Sequence, residues 1–181
     1  MAVKPKRKSK ARPKATTKTY IAEARLETTP ADEKLLDHCF YLGSRPINHT
    51  VDEANRRINK YYRDPKVKDI RKRQRKKGYK LTKDEKSVLD AKRKQYGLSD
   101  YDFQSYLKVY GESVRNYLDA NTVQKIATRV WQATQAVLFG KGKQVRHKGC
   151  DKVSSFEGKT NKQGLRYKDG YLVWGKLRIP I

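Results

Sequence analysis

Residues 122–140, TVQKIATRVWQATQAVLFG, and residues 164–181, GLRYKDGYLVWGKLRIPI, decide how the chain folds. In the first stretch Val123, Ile126, Ala127, Val130, Trp131, Thr134, Val137 and Leu138 recur at helical spacing and make one broad apolar face. Asn121 or Thr122 stands where a cap belongs, and Phe139-Gly140 ends the pattern. In the second stretch the period drops to two. Gly164 to Tyr167 reads as a strand and Lys168-Asp169-Gly170 as a hairpin turn. Tyr171 to Trp174 returns across that turn, and Leu177 to Ile181 adds another strand. Ser154 to Gly158 also reads as a short strand. Between helix and sheet lie Lys141, Lys143, Arg146, Lys148 and Lys152. The expected unit is a helix delivered into a small sheet through a cationic elbow.

Composition narrows what such a unit can do. The 181 residues carry 44 Lys and Arg against 19 Asp and Glu, a formal charge of +25. Self-repulsion at that charge opposes compaction, so a polyanion is the expected partner. Twelve tyrosines and two tryptophans argue against a wholly disordered basic chain. No apolar run approaches the roughly 18 residues of a membrane span, so no membrane is expected as a partner. The first residues lack the apolar core of a secretory signal. Cys39 and Cys150 fit a reducing compartment, with no disulfide expected between them.

Residues 1–18 are rich in lysine and arginine and contain no acid. They read equally as a tail that follows a phosphate backbone and as a solubilising or localisation tail. Residues 19–28 alternate, with Tyr20, Ala22, Ala24 and Leu26 on one side, and predict a half-buried strand. Thr29-Pro30-Ala31-Asp32 opens a helix, with a Thr cap and Pro in the first turn. Gly43 and Pro46 are expected to interrupt it, and Thr50 to cap a second helix bearing Val51, Ala54, Ile58, Tyr61 and Tyr62. Arg56 and Arg57 fall mostly off that stripe. From Lys66 to Lys80 the chain is densely cationic, with Arg71, Lys72, Arg73, Arg75, Lys76 and Lys77 against Asp69 alone. That run is either a helix held out to nucleic acid or a solvated linker, and the total charge favours contact. Thr82 and Ser99 cap two further helices. The tyrosines on the second of these, Tyr106, Tyr110 and Tyr117, are expected in the core with wet hydroxyls rather than as base-stacking platforms.

Catalytic chemistry is thin. His38-Cys39 and His147-x-x-Cys150 lack the paired spacing of zinc sites. No glycine-rich phosphate loop or nucleophile elbow is present. The acids at Asp32, Asp52 and Asp84 sit in first helical turns rather than in a two-metal cluster. These residues are therefore expected to bind rather than to catalyse.

The order of pieces is distinctive. A basic start and one strand precede Phe40-Tyr41-Leu42-Gly43-Ser44-Arg45-Pro46-Ile47-Asn48. A basic helical insertion and the helix from Val123 to Gly140 follow. Then come Val145-Arg146-His147-Lys148, Ser155-Phe156-Glu157-Gly158 and Gly175 to Pro180. Over roughly residues 17 to 181 this resembles the N-terminal part of TnpB (OrfB) transposon-encoded RNA-guided nucleases, relatives of the type V CRISPR effectors. Val145-Arg146-His147-Lys148 lacks that family's usual Phe, and the last strand departs from its pattern. The resemblance implies an α+β fold. Residues 19–28 and 141–181 would form a wedge-like antiparallel β-barrel, with residues 29–140 inserted as a helical recognition lobe. It implies RNA and DNA as partners, through the guide RNA and the guide–target heteroduplex, for a monomer or dimer within a larger chain. It implies a cytoplasmic prokaryotic protein, nucleoid-associated when bound, or one encoded by a virus or mobile element. No cofactor is expected here, since Mg and Zn would belong to a nuclease half beyond these residues. By the same resemblance Arg45 and Asn48 match the helix motif, Arg146 and Lys148 the basic segment, and Ser155 and Phe156 the strand. Two rivals remain open: a self-contained RNA-binding protein of ribosomal type, and an interaction module whose cations are only solvated.

Overall fold

A computed structural model of the chain describes residues 22–181. The basic tail 1–18 and the first residues of the strand expected at 19–28 lie outside them. Among the described residues the protein is α+β, with five helices followed by a small antiparallel sheet. The helices are α1 (Pro30–Arg63), α2 (Pro65–Gln74), α3 (Lys83–Gln95), α4 (Asp100–Val114) and α5 (Ala120–Leu138). A 3₁₀ turn, Cys150–Lys152, precedes β1 (Arg166–Lys168), β2 (Tyr171–Trp174) and β3 (Leu177–Pro180), paired in that order. Helices α1, α4 and α5 pack on one another, and α2 with α3 closes over the far end of α1. No described helix is long and apolar enough to cross a membrane.

One expected break is absent. Helix α1 runs 34 residues straight through Gly43 and Pro46. Pro46 has no N–H to donate and costs a helix interior about 3 kcal/mol. Burial outweighs that cost, because Cys39, Gly43, Pro46, Thr50, Ala54, Ile58 and Tyr61 lie along one stripe in the core. Thr50 is not a cap but a buried helical residue, donating its hydroxyl to the Pro46 carbonyl at 2.6 Å. Gly43 has a packing reason: a Cβ there would stand 2.1 Å from the Phe156 ring. Thr29 begins the helix as expected, in a reciprocal capping box with Asp32.

The start of α5 also differs from the expectation. Asp119, not Asn121 or Thr122, is its cap, accepting from the amides of Asn121 (2.9 Å) and Thr122 (3.1 Å). The apolar face read from sequence is buried from Val123 to Leu138, with Trp131 at its margin.

The sheet is open rather than a closed barrel among the described residues. Its first hairpin has Asp169 and Gly170 at φ 50° and 82°, the left-handed pair of a type I′ turn, closing Lys168 against Tyr171. Trp174, Leu177 and Ile179 point from one face into the core. Residues 154–158 form no strand: Phe156 is held between rings, stacked on Phe40 (5.2 Å) and tilted against Trp174 (5.4 Å), not by a ladder. Residues 22–28 form none either, yet they lie beside β3, where the Glu27 amide donates to the Pro180 carbonyl at 3.0 Å. Pro180 has no N–H to return, so this residue pair shares a single bond.

Asp64 locks the joint between α1 and α2. Its carboxylate accepts from the amides of Lys66 (2.9 Å) and Val67 (3.3 Å) and from the Tyr96 hydroxyl (2.9 Å). Lys92 pairs with it at 2.8 Å. The Lys92 ammonium, with help from Tyr96 and the helix amides, holds this carboxyl at about 2. A depressed native value means the stabilisation is complete above the unfolded value of about 4 and fades as pH falls towards 2. Asp64→Asn is expected to lower the melting temperature at pH 7 by several degrees and to flatten its decline between pH 5 and 2. Thermal melts followed by circular dichroism at each pH test this. An undiminished acid slope in the variant would remove Asp64 from the account.

Candidate nucleic-acid interface

The elbow is pinned along α1 by two asparagines. Asn48 donates from Nδ2 to the Lys148 carbonyl (2.8 Å) and accepts from the Lys148 amide at Oδ1 (2.9 Å). Asn55 repeats the pattern on Val145, at 2.9 and 3.2 Å. Seven residues of helix rise about 10.5 Å. Three residues of extended chain span about 10 Å. The two amide side chains therefore match the backbone at both ends. Between them His147 Nε2 meets Asp52 Oδ1 at 2.8 Å. Val145 is buried beneath, while the side chains of Arg146, His147 and Lys148 are exposed. Asn48, expected as a nucleic-acid contact, is instead a clamp with both ends of its amide engaged.

At its start the elbow adjoins α2. Arg71 donates to the Leu138 carbonyl at 2.6 Å, and the Tyr62 hydroxyl donates to Val137 at 3.2 Å. The C-terminus of α5 is thereby tied to α1 and α2, with the guanidinium also lying over the Tyr62 ring. Beside this joint is a groove of about 810 Å³ lined by Tyr62, Lys68, Arg71, Lys72, Gln74 and Arg75. Helix α2 is neither a linker nor held clear of the body. Val67 and Ile70 are buried, and they turn Lys72 and Arg75 outward.

The expected cations divide into two sets. Arg57 is structural: its guanidinium binds Glu53 (2.6 Å) and the Gly97 carbonyl (2.5 Å) and lies over Phe103. Arg56 shares the same Glu53 carboxylate, and Arg73 pairs with Asp69 and with Glu85 (2.8 Å). Glu53 is kept ionised below its ordinary range because the hydrogen bonds and charges of Arg56 and Arg57 outweigh its burial. Arg71 is occupied at the end of α5. Arg57 and Arg71 hold the fold, because a buried carboxylate or a helix C-terminus favours a cation close by, whereas Arg56 and Arg73 are paired yet remain 54% and 45% exposed. Arg45, Lys72, Arg75, Lys76, Lys77, Lys141, Lys143, Arg146, Lys148 and Lys152 are exposed. From Phe139 to Cys150 there is no acid.

Two features went unread in the sequence. Lys162, Arg166 and Lys168 surround a second concavity of about 540 Å³ at the β1 edge, so the cations are not confined to the elbow side. And Tyr106 and Tyr110 are half-buried, Tyr110 packed against the core, and both meet His49 across the α1–α4 contact. The Tyr106 hydroxyl lies 2.9 Å from His49 Nε2. Tyr117 is 41% exposed. Spacing of four residues between Tyr41, Arg45 and His49 was the available signal. Arg45 lies 5.4 Å over the Tyr41 ring, and its pKa is raised by the Tyr41 hydroxyl first, with smaller effects from Tyr110 and the Cys150 thiol. Cys39 is buried and Cys150 exposed, both free thiols, and no metal-holding cluster occurs among the described residues. Compared with known proteins, the chain matches no family model, no curated protein and no solved structure.

Proposed function

We propose that this protein binds the phosphate backbone of a nucleic acid along the elbow and the outer face of α2. One observation carries the reading: Asn48 and Asn55 hold an acid-free, cation-rich segment extended on a rigid helix, with its charges turned outward. Such a track neutralises phosphates and releases counterions, so affinity falls with salt by roughly 0.7 to 0.9 log units per log salt for each phosphate. The double change Arg146→Ala with Lys148→Ala is expected to weaken binding alike across sequences. It should also flatten the salt slope by roughly 1.4 to 1.8. Fluorescence anisotropy titrations at several salt concentrations measure both. Unchanged affinity and slope would remove the elbow from the interface.

The narrower reading is the guide-RNA-gripping part of a TnpB-type RNA-guided nuclease. It rests on the order of the motifs, and the bond from Glu27 to Pro180 brings the segment before α1 beside β3, although residues 22–28 form no strand. The barrel of that reading would need further strands to close the three-stranded sheet.

A further inference from the structure

The cationic elbow ends beside a set of side chains that phosphate binding does not use. Tyr41, Arg45 and His49 stand on successive turns of α1, one above another, with Tyr41 46% exposed and His49 also exposed. Helix α4 adds Tyr106 and Tyr110, whose rings lie 5.3 and 4.8 Å from His49 at interplanar angles of 18° and 28°. Asn48, next to His49 in sequence, grips Lys148, so the last cations of the elbow lie against the same stretch of helix. Flat rings and a guanidinium thus border a phosphate track. Packing against α4 accounts for His49 but not for exposed Tyr41, and an ion-pair lattice would not need aromatic planes.

We infer that Tyr41, His49 and Tyr110, with Arg45, form a platform on which bases of a single-stranded nucleic acid stack while its phosphates follow the elbow. This rests on the phosphate-binding reading and adds the strand class. A duplex hides its base faces within its own stack and presents only backbone and groove edges to such rings. An unpaired strand offers a π-face at every nucleotide, and aromatic and Arg planes take any of the four. The preference is therefore for single strands without sequence selectivity.

The test compares three probes of equal phosphate count on the full chain: a single-stranded DNA of roughly 12 nucleotides, the same backbone made abasic, and a duplex. Wild-type protein should bind the base-bearing strand about tenfold or more tighter than the abasic one, with the duplex showing no such gain. Tyr41→Ala with His49→Ala should lose that increment and keep abasic binding. Tyr41→Phe with His49→Phe should retain the increment, since the planes remain. Equal binding of base-bearing and abasic strands by wild type overturns the platform and leaves the phosphate track standing. That comparison needs no variant, so it decides even where a substitution harms folding. Loss of both kinds of binding in the alanine pair, in protein that melts normally, also overturns it. Absence of binding to any probe at low salt overturns the phosphate track itself.

Discussion

Replacing Asp119 with alanine is expected to destabilise the protein by about 3 kcal/mol, lowering its melting temperature by roughly 6–12 °C. One carboxylate accepts from the Asn121 and Thr122 amides, from the Thr122 hydroxyl at 2.6 Å and from the Trp174 indole at 3.0 Å. Loss of a helix cap alone costs typically about 1 kcal/mol. The remainder comes from Trp174, which is 4% exposed and would keep a buried N–H without a partner, at about 1–3 kcal/mol. Because the same group ties α5 to β2, near-ultraviolet circular dichroism of the tryptophans should change together with the melting curve. Asp119→Asn retains an acceptor and should fall between. A loss below about 1 kcal/mol in the alanine variant would mean that the cap and the indole bond do not act together.

The second large effect is expected at the elbow. Asn48→Ala with Asn55→Ala removes four hydrogen bonds to the backbone of Val145 and Lys148. At about 0.5–1.5 kcal/mol each, their loss lowers the free energy of local opening by roughly 2–6 kcal/mol. Limited trypsin digestion after Arg146 and Lys148 should then run at least about tenfold faster while the global melt shifts little. Val145 would still favour the buried position, so opening should be local, not global. Cleavage at the wild-type rate would show that the elbow is held by something other than the asparagine amides.

Helices and turns were legible because their causes are local. Thr29, Thr82 and Ser99 cap the helices they were expected to cap, and Asp169-Gly170 turns the hairpin it was expected to turn. Each rests on bonds or dihedral angles within a few residues. The misses have causes distant in sequence. Gly43 and Pro46 look like a break until Phe156, more than a hundred residues on, is laid across the helix. Residues 154–158 alternate like a strand, yet ring contacts at Phe156 and the bond from Arg129 to the Ser155 carbonyl fix them. The basic residues show the same division: charge in a sequence predicts that a polyanion will be attracted, but not which guanidinium is already occupied. Arg57 and Arg71 read like Lys72 and Arg146 until Glu53, Gly97 and Leu138 are placed beside them.

What the sequence determined by itself was the class of the fold, three of the helix caps, the first hairpin and the sign of the surface, because propensity, capping and net charge act without long-range contact. Only the tertiary structure decided that Asn48 and Asn55 are clamps, that four of the expected arginines already have partners within the fold and that His49 meets Tyr106 and Tyr110. A side chain's availability depends on what the fold has already brought within about 3 Å of it, and that partner is set by packing between elements far apart in the chain.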